Sequence, residues 1–356
     1  MANRVFELQE TKGTFQVRGI INGVEKERFY TDKKTKTGKD FRAVNFGCEY
    51  NDKQTIYMSL NGMPMQKVYF SKRNQSTGKT ETKDVPWANR NKFNEEGFRL
   101  IGVSLGLTKI KDQNGKMVND IKDMAPFDAC EHIQTNLRDD MSVRIRGNVE
   151  FSSYTDSENN VHRSVKYIPN KMYLCNEVDF TKYDDEQNKP VHDFTQTIVY
   201  TGIDQEQVDN KTTGRFIVSA KIVTYSDIVD TEFIVVDKEL ANIFRKKLKP
   251  YNAITVHGKI EVSHNVQEVE EEDCWGAAND MNKVSVPTKT EMIITGATPS
   301  TLDKETYNEK NIAEAMAKVK TSKTAEQNFS GKTTETADAD SWGESYDDAD
   351  DESDPW

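Results

Sequence analysis

The chain has 356 residues, 59 acidic against 48 basic side chains and a formal net charge of −11, with hydrophobic residues at 35%. That length leaves room for two domains and a tail, and no apolar run reaches the ~18 residues of a membrane-crossing helix. The opening residues, Met1 to Glu7, lack the apolar stretch of an export signal, and Cys48, Cys130, Cys175 and Cys274 are far apart with no C-x-x-C. A cytoplasmic location without a disulfide scaffold or zinc ribbon is expected. Taken whole, the negative charge argues against a nucleic-acid partner.

From residue 12 onward, short alternating runs broken by Gly, Asn and Asp read as strands. The first loop between them, Lys33 to Lys39, holds Lys33, Lys34, Lys36 and Lys39. Alternation in Phe41 to Tyr50 sends Val44, Phe46 and Cys48 to a core and Phe41, Ala43 and Asn45 outward. In the next run Ile56, Met58 and Leu60 point in and Tyr57 out. Phe41 and Tyr57 on adjacent strands would make a stacking platform for bases. Residues 61–95 add seven basic residues against three acids. Among them Lys67, Lys72 and Arg73 interleave with Tyr69, Phe70 and Trp87, a combination that suits phosphates and base faces. The competing reading is a basic β-flap packed on the domain by its aromatics.

A helix is expected from about Pro126 to Leu137, with Phe127, Cys130, Ile133 and Leu137 as its apolar stripe. The following strand places Arg144 and Arg146 opposite its core face, and the last loop adds Tyr154, Arg163 and Lys166.

The pattern then repeats. Residues 142–152 (SVRIRGNVEFS) match 253–263 (AITVHGKIEVS), with Gly147 on Gly258 and Glu150 on Glu261. Upstream, the turn at Gly38 parallels that at Gly214. The second copy has its own helix from Asp237 to Lys249, with Leu240, Ile243, Phe244 and Leu248 assigned to one face and Pro250 as the stop. Its strand Arg215 to Tyr225 puts Arg215, Lys221 and Tyr225 outward, but its final loop carries Glu268, Glu270, Glu271, Glu272 and Asp273, which would repel phosphate. Each copy runs three strands, a helix and two strands. That is the order of the OB-fold, a small Greek-key barrel. The expected fold is therefore mainly β: two tandem OB-fold-like barrels at about 12–180 and 192–300. The first carries a long insertion at about 61–123, since Gly38 to Gly147 is more than twice as far as Gly214 to Gly258.

Beyond the barrels, 301–320 reads as a short helical segment and 321–356 as a disordered linker and acidic tail. Ten acids and no Lys or Arg lie between Glu335 and Trp356, so without them 48 basic residues face 49 acidic ones. The tail closes with Asp351, Glu352, Ser353, Asp354, Pro355 and Trp356. Acids around a terminal ring suit a docking peptide better than a purely solubilising one.

Catalytic signatures are missing. No H-E-x-x-H, G-x-S-x-G or G-x-G-x-x-G occurs, the five histidines are scattered, and Gly331-Lys332-Thr333 lacks the earlier glycine of a phosphate loop. His264 and Cys274 fit no metal-ligand spacing, so neither metal nor cofactor is expected.

The twice-repeated strand–helix order and the acidic tail ending Asp-Pro-Trp resemble the single-stranded DNA-binding proteins of bacteria and bacteriophages. Pro-Trp stands where the bacterial versions have Pro-Phe, and two barrels stand where they usually have one. The resemblance implies a non-enzymatic, sequence-independent binder of single-stranded DNA in replication, recombination or repair, monomeric or homodimeric and phage-encoded. It also implies that Asp351, Glu352, Asp354, Pro355 and Trp356 recruit partner enzymes and compete with DNA. Two alternatives share parts of this pattern. A DNA mimic that inhibits a host enzyme would spread its acids over the folded body. A strand-annealing recombination mediator would use the same binding face.

Overall fold

A computed structural model of the chain describes residues 4–330 apart from 53, 75, 156–159, 183–188, 209 and 264–288. The chain divides into two units. One comprises Lys12–Glu150 and Lys166–Phe194. The other takes in the described parts of Met1–Thr11, Phe151–Val165 and Thr195–Trp356.

The first unit begins with β1 (Gly13–Asn22), β2 (Tyr30–Lys34), β3 (Asp40–Asn51) and β4 (Gln54–Gly62). The insertion follows as β5 (Lys67–Arg73), β6 (Thr80–Pro86), β7 (Arg99–Leu100), β8 (Val103–Gly106), β9 (Lys109–Lys111), β10 (Met117–Asn119) and β11 (Lys122–Met124). Then come α1 (Pro126–Asn136), β12 (Ser142–Thr155) and β13 (Val161–Leu174). β3 pairs with β1 and β4, β4 runs parallel to β13, and β12 pairs with both β13 and β1. The order β1-β3-β4-β13-β12 and back to β1 is a closed OB barrel, with β2 added as a hairpin on β3. Its core holds Val17, Val44, Phe46, Ile56, Met58, Leu60, Val143 and Ile145, the residues that period-two alternation sends inward. α1 closes the barrel with Ala129, Cys130, Ile133 and Leu137 fully buried. Burial pushes the Cys130 thiol up to about 12, so it remains protonated. The helix lies so close to β4 that a Cβ on Gly62 would meet the backbone of Pro126 and Phe127.

The second unit repeats the plan with β14 (Val191–Val208), β15 (Lys211–Val223), β16 (Ile228–Val235), α2 (Lys238–Lys247), β17 (Ala253–Ser263) and β18 (Lys289–Asp303). Antiparallel β14-β15-β16, parallel β16–β18, antiparallel β18–β17 and a closing β14–β17 pairing give the same circuit. The Asp237 carboxylate caps α2 by accepting from the backbone of Glu239 and Leu240.

Several features depart from the sequence expectations. The expected loop bearing Tyr154, Arg163 and Lys166 is instead a hairpin of two long strands, β12 and β13. Its tip belongs to the second unit, where Ser153 donates to Asp227 at 3.1 Å and Phe151 packs 6.3 Å from Phe233. The second unit also takes the N-terminal segment: Phe6 is buried, and the Thr11 amide donates to the Val223 carbonyl at 2.9 Å. Finally, α3 (Glu309–Ser330) runs through the first ten residues of the expected linker. Ile312, Ala315 and Val319 anchor it on Val199, Val223 and Ile228. Once anchored, a helix gains one hydrogen bond per added residue, and apolar periodicity is no longer required to extend it.

The repeated glycines are explained by the close approach of the last two strands, which pair with each other in each unit. A Cβ on Gly147 would strike the Ile168 carbonyl of β13, and one on Gly258 the Ile293 carbonyl of β18. Gly147→Ala and Gly258→Ala should each lower stability by ~1–3 kcal/mol through forced strand separation. Alanine at Gly202, which has open space around it, serves as the control in urea unfolding.

Candidate nucleic-acid interface

On the first barrel, the β1–β12 register sets Gln16 opposite Arg146 and Arg18 opposite Arg144. Both strands alternate, so these four side chains share the outer face. Arg146 donates to Gln16 at 2.6 Å, a neutral partner that leaves the cation's charge uncompensated. Arg18 and Arg144 both border Cys175. Burial pushes that thiol up against the opposing pull of the two guanidiniums. Arg18 was missed by the sequence reading because its run (Val17-Arg18-Gly19) carries no local signal. Only the cross-strand register reveals it.

Two strands over, Tyr57 is 64% exposed and stands opposite Gly47. Gly47 itself is buried, because the Asn22 and Thr55 side chains fill the space a Cβ there would take. The lysine loop closes through a tight turn, with Gly38 at φ 77 and the Thr35 amide donating to the Lys39 carbonyl at 2.8 Å. Lys33, Lys34, Lys36 and Lys39 are all exposed there, and Lys34 meets Asp40 at 3.3 Å.

Phe41 requires correction. It is only 6% exposed and cannot serve as an open stacking surface. Alternation separates two faces of a strand but does not say that one of them is open. At this end of β3, Ala43 on the same face is buried as well.

The insertion corrects a second group. β6-β5-β7 form a small sheet whose core is Phe70, Val68 and Val85 with Ala125, flanked by Trp87, Phe93 and Phe98. Phe70 is 6% exposed, and Trp87 packs edge-on to Phe127 at 6.1 Å beneath the Arg90 guanidinium. The basic flap packed by its aromatics is therefore the arrangement found for both rings. Its cations are largely engaged as well. Lys67 meets Asp84 at 3.2 Å, Lys83 meets Glu95 at 2.5 Å, Arg90 meets Asp128 at 2.6 Å and Lys72 donates to the Glu96 carbonyl at 2.9 Å. Tyr69 and Arg73 stay outward.

On the second unit, Arg215 is held by Glu291 at 2.5 Å and by Glu206 at 3.4 Å, and Lys221 by Asp230 at 2.6 Å. Tyr225 is 44% exposed. On the hairpin tip, Tyr154 already stacks on His162 at 4.8 Å, and Arg163 is exposed. Lys166, in the first unit, draws down the Glu150 carboxyl that burial pushes up. The acidic loop from Glu268 to Asp273, His264, Cys274 and the tail residues Asp351, Glu352, Asp354, Pro355 and Trp356 lie outside the described residues.

The YorF family model matches residues 72–332, well over half of the chain. The chain belongs to the YorF family. The matched span of this YorF-family chain starts inside β5 and reaches past α3, so it includes the second barrel and most of the insertion. No curated protein matches. Among solved structures, the chain is similar to the wild-type single-stranded DNA binding protein from Thermus aquaticus, at 10% identity and a TM-score of 0.37, over 82% of this chain and 93% of that one. A deletion variant of the same protein gives 9%, 0.38, 81% and 94%. At such scores the likeness adds nothing to the barrel topology read directly from the strand order.

Two outcomes separate packed from open groups. Phe70→Ala should destabilise the insertion by ~3–5 kcal/mol, whereas Tyr69→Ala should stay within ~0.5 kcal/mol, as read by hydrogen exchange in β5 and β6. Burial raises the Glu291 carboxyl, but bonds from Lys289 and Arg215 outweigh it and hold the group below the usual glutamate range. Its contribution is thus present above the unfolded-state glutamate pKa and lost as pH falls through the lower folded value. Glu291→Gln should cost stability at neutral pH and little in strong acid, measured by denaturant titration at each pH.

Proposed function

We propose that the chain binds single-stranded DNA without sequence preference, through the outer face of its first barrel, and performs no chemistry of its own. The supporting observation is the cross-strand set Arg18, Arg144 and Arg146, on the same run of strands that exposes Tyr57. Guanidiniums hold phosphates and a free ring stacks on any base, so such a face needs no sequence code. The lysine loop at Lys33 to Lys39 extends the positive surface. The second barrel contributes less, because Arg215 and Lys221 are already spent on their own carboxylates. Replication, recombination or repair in a phage-infected or bacterial cytoplasm is the setting that fits this activity. The segment Asp351, Glu352, Asp354, Pro355 and Trp356 then recruits partner enzymes. A DNA-mimic role is disfavoured by the near-neutral balance of the chain outside its last 22 residues.

Fluorescence titration with oligo-dT tests the reading. Binding should weaken as salt rises, and Arg144→Ala with Arg146→Ala should flatten the log–log salt slope by ~1.4, at ~0.7 per phosphate contact. Tyr57→Ala should weaken binding at every salt concentration by ~1–3 kcal/mol. Absence of binding at low salt, or binding indifferent to all three changes, overturns the proposal.

A further inference from the structure

The helix of the second barrel carries lysines that no described carboxylate pairs with. Ala241, Phe244 and Leu248 hold α2 against the barrel. Ile243, which periodicity had assigned to that buried face, is 53% exposed. It lies roughly 160° around the helix axis from Ala241 and roughly 100° from Phe244. Lys246 and Lys247 follow at i+3 and i+4, the positions that neighbour Ile243 on a helix surface, and Lys249 lies just past the last turn. Arg245 rests over the Phe216 ring at 5.1 Å, whereas no described carboxylate pairs with Lys246, Lys247 or Lys249.

Basic residues near a helix C-terminus are favoured by the backbone dipole. In the first barrel the cation that follows α1, Arg138, turns back onto the Gln134, Thr135 and Leu137 carbonyls, whereas no such bond to a described residue engages Lys246, Lys247 or Lys249. The contrast within the second barrel is equally plain, since Arg215 and Lys221 each have a carboxylate in contact. An exposed isoleucine bordered by unpaired lysines complements an acidic peptide with a large apolar side chain.

The chain contains such a peptide. Residues 344–356 hold Glu344, Asp347, Asp348, Asp350, Asp351, Glu352 and Asp354 with Tyr346 and Trp356, and no cation. From the end of α3 at Ser330, the residues that precede Glu344 can span up to ~45 Å when extended, and α2 and α3 belong to the same unit. We propose that the acidic segment 344–356 docks on the outer face of α2 in the same chain, setting an aromatic ring on Ile243 and carboxylates on Lys246, Lys247 and Lys249. This places the segment on the second barrel and holds whether or not the first barrel binds DNA.

Zero-length carbodiimide crosslinking of the full-length protein at low salt, read by mass spectrometry, tests the docking. Links from acids of residues 344–354 should fall chiefly on Lys246, Lys247 and Lys249, within monomers, and fade as salt rises. Ile243→Asp keeps all three lysines and alters an exposed position, so the melting temperature should hold while the yield at those lysines drops at least ~5-fold. Links centred on Lys33, Lys34, Lys36 or Lys39, links found only in crosslinked dimers, or an unchanged yield in Ile243→Asp would overturn the proposal.

Discussion

Closure of each barrel depends on one backbone approach that leaves no room for a side chain. At Gly147 the carbonyl of Ile168 occupies the space a Cβ would need, and at Gly258 the carbonyl of Ile293 does the same. With the last two strands able to approach this closely, the fifth can lie parallel to the third, and the circuit closes in both units. The alternating apolar residues then face a common interior, and one helix suffices to close it. The internal repeat is therefore a record of a steric requirement met twice.

What differs between the copies is how cations are spent. In the first barrel, Arg144 and Arg146 stand on an outer face with Arg18, and Arg146 leans on an amide. In the second, the outward Arg215 and Lys221 are neutralised in place, and lysines that no described carboxylate pairs with lie at the C-terminal end of α2. An ion pair at an exposed site adds little stability, but it removes a cation from use by a phosphate. Two barrels of one topology can thus present different chemistry to different partners.

The insertion shows the limit of composition as a guide. Its basic and aromatic residues have the make-up of a binding surface, yet Phe70 lies in a small core that Trp87 packs against, and Lys67, Lys83 and Arg90 meet carboxylates. A segment of this size gains stability by burying its rings, and burial withdraws them from any ligand. Tyr57, on β4 of the barrel itself, takes no part in that small core and stays 64% exposed.

Alternation, turn glycines and the matched segments were enough to place the strands and both helices and to assign Val44, Phe46, Ile56, Met58 and Leu60 to a core, because these signals are local and periodic. Which outward side chains remain open was beyond them. Phe41 and Ile243 exchanged their expected roles, Phe70 became core and Arg18 came forward, since exposure depends on what a distant part of the chain lays over a face. The course of β12 and β13 into the second unit and the capture of Phe6 by that unit's core were decided the same way. The sequence by itself determined the barrel and its repetition through short-range period and backbone sterics. The tertiary structure alone decided which charges and rings are left for a partner, because pairing and burial are settled between residues far apart in the chain.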